Sequence, residues 1–192
     1  MLSYGTETMG LSLTTMLAAV SIGSVFMIPA VLGGAALSDR FGRRGVYLVG
    51  AGLLGLWSFP FFWLMNTGSA VLVTVSLAVG LIFLGMSYGP LGALFSEMFG
   101  TKVRYSGASL GYQLGAILGG GLAPIIATSL VAATGTSLSV SFYMFAISVI
   151  TFVSVLLITE TYQVDITEAM DEEHLEEELQ EEQEKPEERA SV

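Results

Sequence analysis

Long apolar runs, broken by small patches of basic charge, constrain this chain more than any other feature. Its seven lysines and arginines fall in three places: Arg40, Arg43 and Arg44; Lys102 and Arg104; Lys185 and Arg189. A Lys or Arg at the centre of a bilayer costs roughly 2.5 to 3.5 kcal/mol on insertion scales, so such residues collect in connecting segments, and preferentially in cytoplasmic ones. The pattern therefore sets class and topology together.

A membrane-spanning helix needs about 20 mostly apolar residues. Five runs meet this length: from about Ser12 to Ala36, Val46 to Met65, Ala70 to Phe95, Ser106 to Ala133 and Leu138 to Thr159. A soluble core would use elements of half that length separated by polar loops. The expected fold is all-α and multi-pass: a short outer segment over 1–11, five transmembrane helices over 12–159, and an acidic cytoplasmic tail over 160–192. The connectors alternate. The first and third are basic, whereas Asn66-Thr67-Gly68-Ser69 and Thr134-Gly135-Thr136-Ser137 carry no charge. The basic connectors and the tail are thus expected inside, and the uncharged turns and Met1 outside. Trp57 and Trp63, near the outer end of the second run, fit an interfacial aromatic belt.

The formal charge of -10 describes the tail alone, because only Glu7, Asp39 and Glu97 of the seventeen acids precede Glu160. Runs of Glu with few apolar residues favour disorder there, and His174 among them is solvated rather than a metal ligand. Cysteine is absent, which excludes disulfides and thiolate metal sites. No span holds an acid, a base, a metal-ligand set or a paired nucleophile, so neither an enzyme nor a cofactor is expected, and nothing points to a nucleic-acid partner.

Pro29, Pro60, Pro90 and Pro124 fall one in each of the first four spans, where each removes a backbone hydrogen bond and favours a kink. Gly111, Gly115 and Gly119 recur every fourth residue and place a smooth stripe on one helix face, suited either to close packing or to a moving, cavity-lining helix. Around the first basic patch Gly42 supplies backbone freedom for a tight turn. Asp39 with Arg40, Arg43 and Arg44 forms a mixed-sign cluster that can be made and broken as helices rock.

The string Leu37-Ser38-Asp39-Arg40-Phe41-Gly42-Arg43-Arg44 resembles the loop signature of the major facilitator superfamily. The stretch Phe95-Ser96-Glu97 through Arg104-Tyr105-Ser106-Gly107 resembles the segment between that family's tenth and eleventh helices. Ala108-Ser109-Leu110-Gly111-Tyr112-Gln113-Leu114 through Gly119-Gly120-Gly121-Leu122-Ala123-Pro124 is similar to the eleventh helix of its metabolite:proton symporter branch, whose members carry shikimate, 2-oxoglutarate, citrate, proline or betaine. The resemblance covers about Tyr4 to Gln163. Two departures stand out: Ala35 where the signature usually opens with glycine, with Gly34 beside it to relieve close packing, and Gly100 in place of proline.

The resemblance implies helices eight to twelve of a twelve-helix carrier in the plasma (inner) membrane, with its N-terminal half as the missing partner. It implies secondary active transport, as proton-coupled symport of a small organic acid or osmolyte by alternating access. Asp39 would belong to a cytoplasmic latch, with Arg40, Gly42 and Arg44 around it. Glu97, Arg43 and Arg104 would form a charge network on the same side. Ser87, Tyr88, Tyr112 and Gln113 are the polar groups the third and fourth spans offer to a substrate cavity, although Tyr and Gln in a span also serve as glue between helices. A second reading is a truncated, non-transporting membrane remnant, or an anchor presenting an acidic tail to a partner.

Overall fold

The structure is a computed structural model that describes residues 5–6, 9–98 and 103–157, the side chains of Glu97 and Leu118 excepted. The acidic tail expected over 160–192 lies outside the described residues, as do most of residues 1–11. Helices account for nearly all of the rest, in the order α1 (Leu13–Phe41), α2 (Arg43–Met65), α3 (Ala70–Glu97), α4 (Arg104–Ala116), a π-helical turn (Ile117–Leu122), α5 (Ala123–Thr134) and α6 (Leu138–Leu157). Taking α4, the π turn and α5 as one span, five helical segments are long and apolar enough to cross a membrane. The protein is a multi-pass membrane protein. Leu32, Val25, Leu56, Trp63, Val71 and Ile150 point outward from these helices with half or more of their surface exposed, as suits surfaces whose solvent is lipid.

The first two helices meet more tightly than a loop would allow. α1 runs on through Phe41, α2 begins at Arg43, and Gly42 alone separates them at φ 92° and ψ 143°. Its N–H donates to the Ser38 carbonyl at 3.1 Å and closes α1, while its own carbonyl accepts from the Val46 N–H and opens α2. A backbone with this positive φ has no room for a β-carbon, so glycine is required. The charged residues of the first basic patch therefore sit on helix ends and not in a loop. The uncharged turns use the same freedom: Gly68, at φ 66°, lies in the turn after α2, and Gly135, at φ 68°, caps α5.

Two kinds of packing hold the bundle. At the end that holds the α2–α3 turn, Met16, Ala19, Phe61, Phe62, Met65, Val73, Leu77 and Val140 form a buried apolar cluster drawn from α1, α2, α3 and α6. Toward the α1–α2 joint, α1 and α3 approach backbone to backbone. A β-carbon on Gly34 would stand 2.5 Å from the Met86 carbonyl oxygen, and one on Gly89 would stand 2.5 Å from the Ala35 nitrogen. The close approach thus falls on Gly34, beside the departing Ala35.

Against α2, α6 is fastened along its length by polar contacts. Asn66 Nδ2 donates to Ser137 Oγ at 2.8 Å between the turns that follow α2 and α5, and the Ser58 and Ser141 hydroxyls each donate to the other's carbonyl at 3.2 and 3.1 Å. Further in, Ser148 donates to the Ala51 carbonyl at 2.6 Å, and the Arg44 guanidinium reaches the Leu156 carbonyl. Phe59 adds ring contacts to Phe142 and Phe145. Trp57 departs from the belt expectation: it is half-buried against the core cluster and donates its indole N–H to the Ser76 carbonyl of α3 at 3.2 Å. Trp63, 75% exposed, keeps an outward position.

Prolines act in two ways. Pro29, Pro60 and Pro90 lie inside continuous helices. Pro124 instead opens α5 directly after the π turn, so the fourth span is the one whose α-helical hydrogen bonding is interrupted.

Candidate functional site

Two sets of polar residues stand out against the apolar spans. The first lies at the α1–α2 joint. Arg43, on the first turn of α2, makes an ion pair with Asp39 on the last turn of α1 and donates to Ser38 Oγ at 3.3 Å. Ser38 is fully buried and its own hydroxyl donates to the Ala35 carbonyl at 2.7 Å. Asp39 remains largely exposed, at 63%, against 22% for Arg43. The pair therefore sits half in protein and half in solvent, a setting in which one partner is held and the other can change partners. Arg40 is exposed one residue on. Arg44 faces the opposite way and caps the last turn of α6 through the Leu156 carbonyl, where a cation meets the negative end of the helix dipole.

Of the expected charge network, Arg43 is placed by its contacts with α1, and Arg104 opens α4, half-buried. Glu97 ends α3, but its side chain lies outside the described residues. Ser38 went unremarked in the sequence as a participant. Its signal was its position, five residues before Arg43 at the end of an apolar helix.

The second set lies where α3 faces α4. The hydroxyls of Tyr88 and Tyr112 are 2.6 Å apart, within one hydrogen bond. Both rings are partly accessible, at 44% and 46% exposed. Two turns further along α3, the Phe95 ring lies 3.3 Å from where a β-carbon on Gly111 would stand. Gln113 follows Tyr112 and is exposed. Ser87 is placed elsewhere. It is buried, its Oγ lies against Gly50 of α2, and it donates to the Phe83 carbonyl at 3.3 Å. Successive residues on a helix point about 100° apart, so Ser87 seals α3 to α2 while Tyr88 looks toward α4. The structure thus brings Tyr88 and Tyr112 together and leaves Ser87 off that face.

The glycine stripe divides in the same way. Gly111 meets Phe95, whereas Gly115 and Gly119 face open space. Neither α4 nor α5 has a buried residue. By contrast α2 buries Gly50, Gly55 and Ser58 against its neighbours. The fourth span is therefore the least enclosed of the five. Among the described residues no group of three or more His, Cys, Asp or Glu side chains could hold a metal ion.

Comparison with known proteins adds a frame to this geometry. The family described as sugar (and other) transporter matches residues 2–172. The chain is 38% identical over 147 residues to the inner membrane metabolite transport protein YhjE of Escherichia coli K12, a match covering 76% of this chain and 32% of that protein. It is 36% identical over 165 residues to the shikimate transporter of the same organism, covering 83% of this chain and 37% of that one. The chain thus spans about a third of the length of the curated relatives it matches. No solved structure matches it.

Proposed function

The chain belongs to the sugar (and other) transporter family, on the metabolite-transporter branch of the major facilitator superfamily, and from that premise we propose that it serves as the part of a secondary active transporter corresponding to helices eight to twelve. The cargo is a small organic acid or osmolyte, moved in symport with protons by alternating access. The basic connectors and the C-terminus face the cytoplasm. The complementary N-terminal part of the carrier is the partner, and the substrate is held between the two.

The observation that carries this reading is the Tyr88–Tyr112 pair with Gln113 beside it, a neutral polar face on spans that are otherwise apolar. α2 and α6 are stitched to each other and turn apolar surface outward, as a lipid-facing wall does. α3 and α4 turn polar groups into accessible space. A proton-coupled step needs a titratable group in the path. The apolar stretches of these five spans hold no Asp, Glu, Lys, Arg or His, so the proton-carrying group belongs to the complementary part. The relative named as a shikimate transporter favours an organic acid as cargo.

The test is uptake of radiolabelled shikimate into proteoliposomes holding this chain alone, or this chain with the N-terminal part of the E. coli shikimate transporter. Uptake is expected only with both parts, and a protonophore is expected to abolish it. Uptake no greater than in empty vesicles, for shikimate and for other small organic acids and osmolytes alike, would favour the anchor reading.

A further inference from the structure

The fourth span is held differently from the others. Its inner half, α4, leans on α3, whereas its outer half, α5, leans on α6. Between them lies the π turn over Ile117–Leu122, and Gly115, Gly119, Gly120 and Gly121 around it all face open space. α5 is held, with Ala127, Leu130 and Val131 packed against the apolar core cluster, whereas α4 has no buried residue, so little packing opposes a change in its angle at a point where the hydrogen-bond ladder is already rearranged. The Tyr88–Tyr112 bond fastens α4 to α3 on the inner side of that joint.

We propose that this hydroxyl pair is a carboxylate-operated latch. An incoming carboxylate takes one phenolic O–H on each of its oxygens, the bond between the tyrosines is given up, and α4 is released to pivot at the π turn. The inference names the substrate class for the polar face assigned above and rests on that assignment. In the resting pair one hydroxyl donates to the other, which leaves a single O–H to donate outward. A carboxylate offers two acceptor oxygens, and its bonds from O–H donors are charge-assisted, roughly twice as strong as neutral ones. Two such bonds replace one neutral bond. An amide of the same shape accepts on its one carbonyl oxygen only, without charge assistance, and gains too little to displace the bond between the tyrosines. Access is available, because both rings are partly exposed, and Gly92, one turn from Tyr88, faces open space as Gly115 does near Tyr112.

The chain has no cysteine, so spin labels can be placed in pairs at will. V75C with L110C reports on α3 against α4, and I125C with I150C on α5 against α6; all four positions are exposed. In the full chain in lipid nanodiscs, cyclohexanecarboxylate is expected to shift the first distance distribution and leave the second unchanged, and cyclohexanecarboxamide to shift neither. Y88F and Y112F keep the rings and remove one hydroxyl each. Each is expected to give the shifted distribution without ligand and to weaken cyclohexanecarboxylate binding about tenfold or more. If both variants keep the parent distribution, the latch is refuted. If acid and amide act alike, the carboxylate assignment is wrong. The distances do not depend on uptake: an acid-specific shift in a chain that carries no cargo with its complementary part would support the latch and count against the transport reading.

Discussion

Gly42 joins two helices with one residue, and its φ of 92° makes a specific demand that its neighbour Gly45 does not. Gly42→Ala is expected to lower stability by about 1 to 3 kcal/mol, the cost of holding a side chain in a sparsely populated backbone region. Gly45→Ala, where an added β-carbon meets open space inside a helix, should leave stability unchanged or raise it slightly. Thermal unfolding in detergent separates the two. Asp39 invites a different expectation. Its carboxylate is mostly exposed, and an ion pair in that setting contributes only about 0 to 1 kcal/mol. Asp39→Asn should therefore leave membrane insertion and unfolding unchanged, and reduce uptake when the complementary part is present. Unchanged uptake kinetics would count against the proposal that Asp39 serves in a latch. These residues were legible because charge is rare and costly between apolar runs, and because a glycine set among charges there marks a tight turn. Arg44 was legible as a charge but not as the cap of α6, since its acceptor, the Leu156 carbonyl, is 112 residues away.

At the scale of the helix, the instructive contrast is between two sets of glycines. Gly34 and Gly89 sit where a β-carbon would strike the backbone of the facing helix, whereas Gly115 meets nothing within 4 Å. Gly89→Ala is expected to destabilise by about 1 to 3 kcal/mol, as overpacking of a tight interface does, while Gly115→Ala should be close to neutral; unfolding in graded SDS measures both. In the sequence the regular stripe of Gly111, Gly115 and Gly119 suits either close packing or a moving helix, and nothing there singles out Gly34 with Gly89. The reason for the difference is physical. In lipid no apolar stripe marks the buried face, since the outward face is equally apolar, so spacing reveals a surface that can pack but not its partner. The five spans themselves were legible because bilayer thickness fixes their length. The split of the fourth into α4 and α5 was announced only by Pro124. Ser58, Ser141 and Ser148 gave no sign of which helix they bind.

For the molecule as a whole, the spans occupy residues through Leu157, so removal of residues 164–192 is expected to leave membrane insertion unchanged, as read by protease protection of the remaining chain. Lost insertion would give the tail a part in assembly. The α2–α6 seam carries a further consequence, in the order of events during synthesis. Ser58 and Ser141 exchange hydrogen bonds across 83 positions, and a slip of one residue would break both at once. While α3, α4 and α5 emerge, α2 has no partner for Ser58, Asn66 or Arg44 from α6 or the turn before it. The last helix therefore completes a template already in the membrane and sets its own depth by matching it. Until α6 is in place Ser58 has its bond to the Gly55 carbonyl of its own helix and not the one to Ser141, so a chain halted before Leu138 lacks the register that the seam supplies.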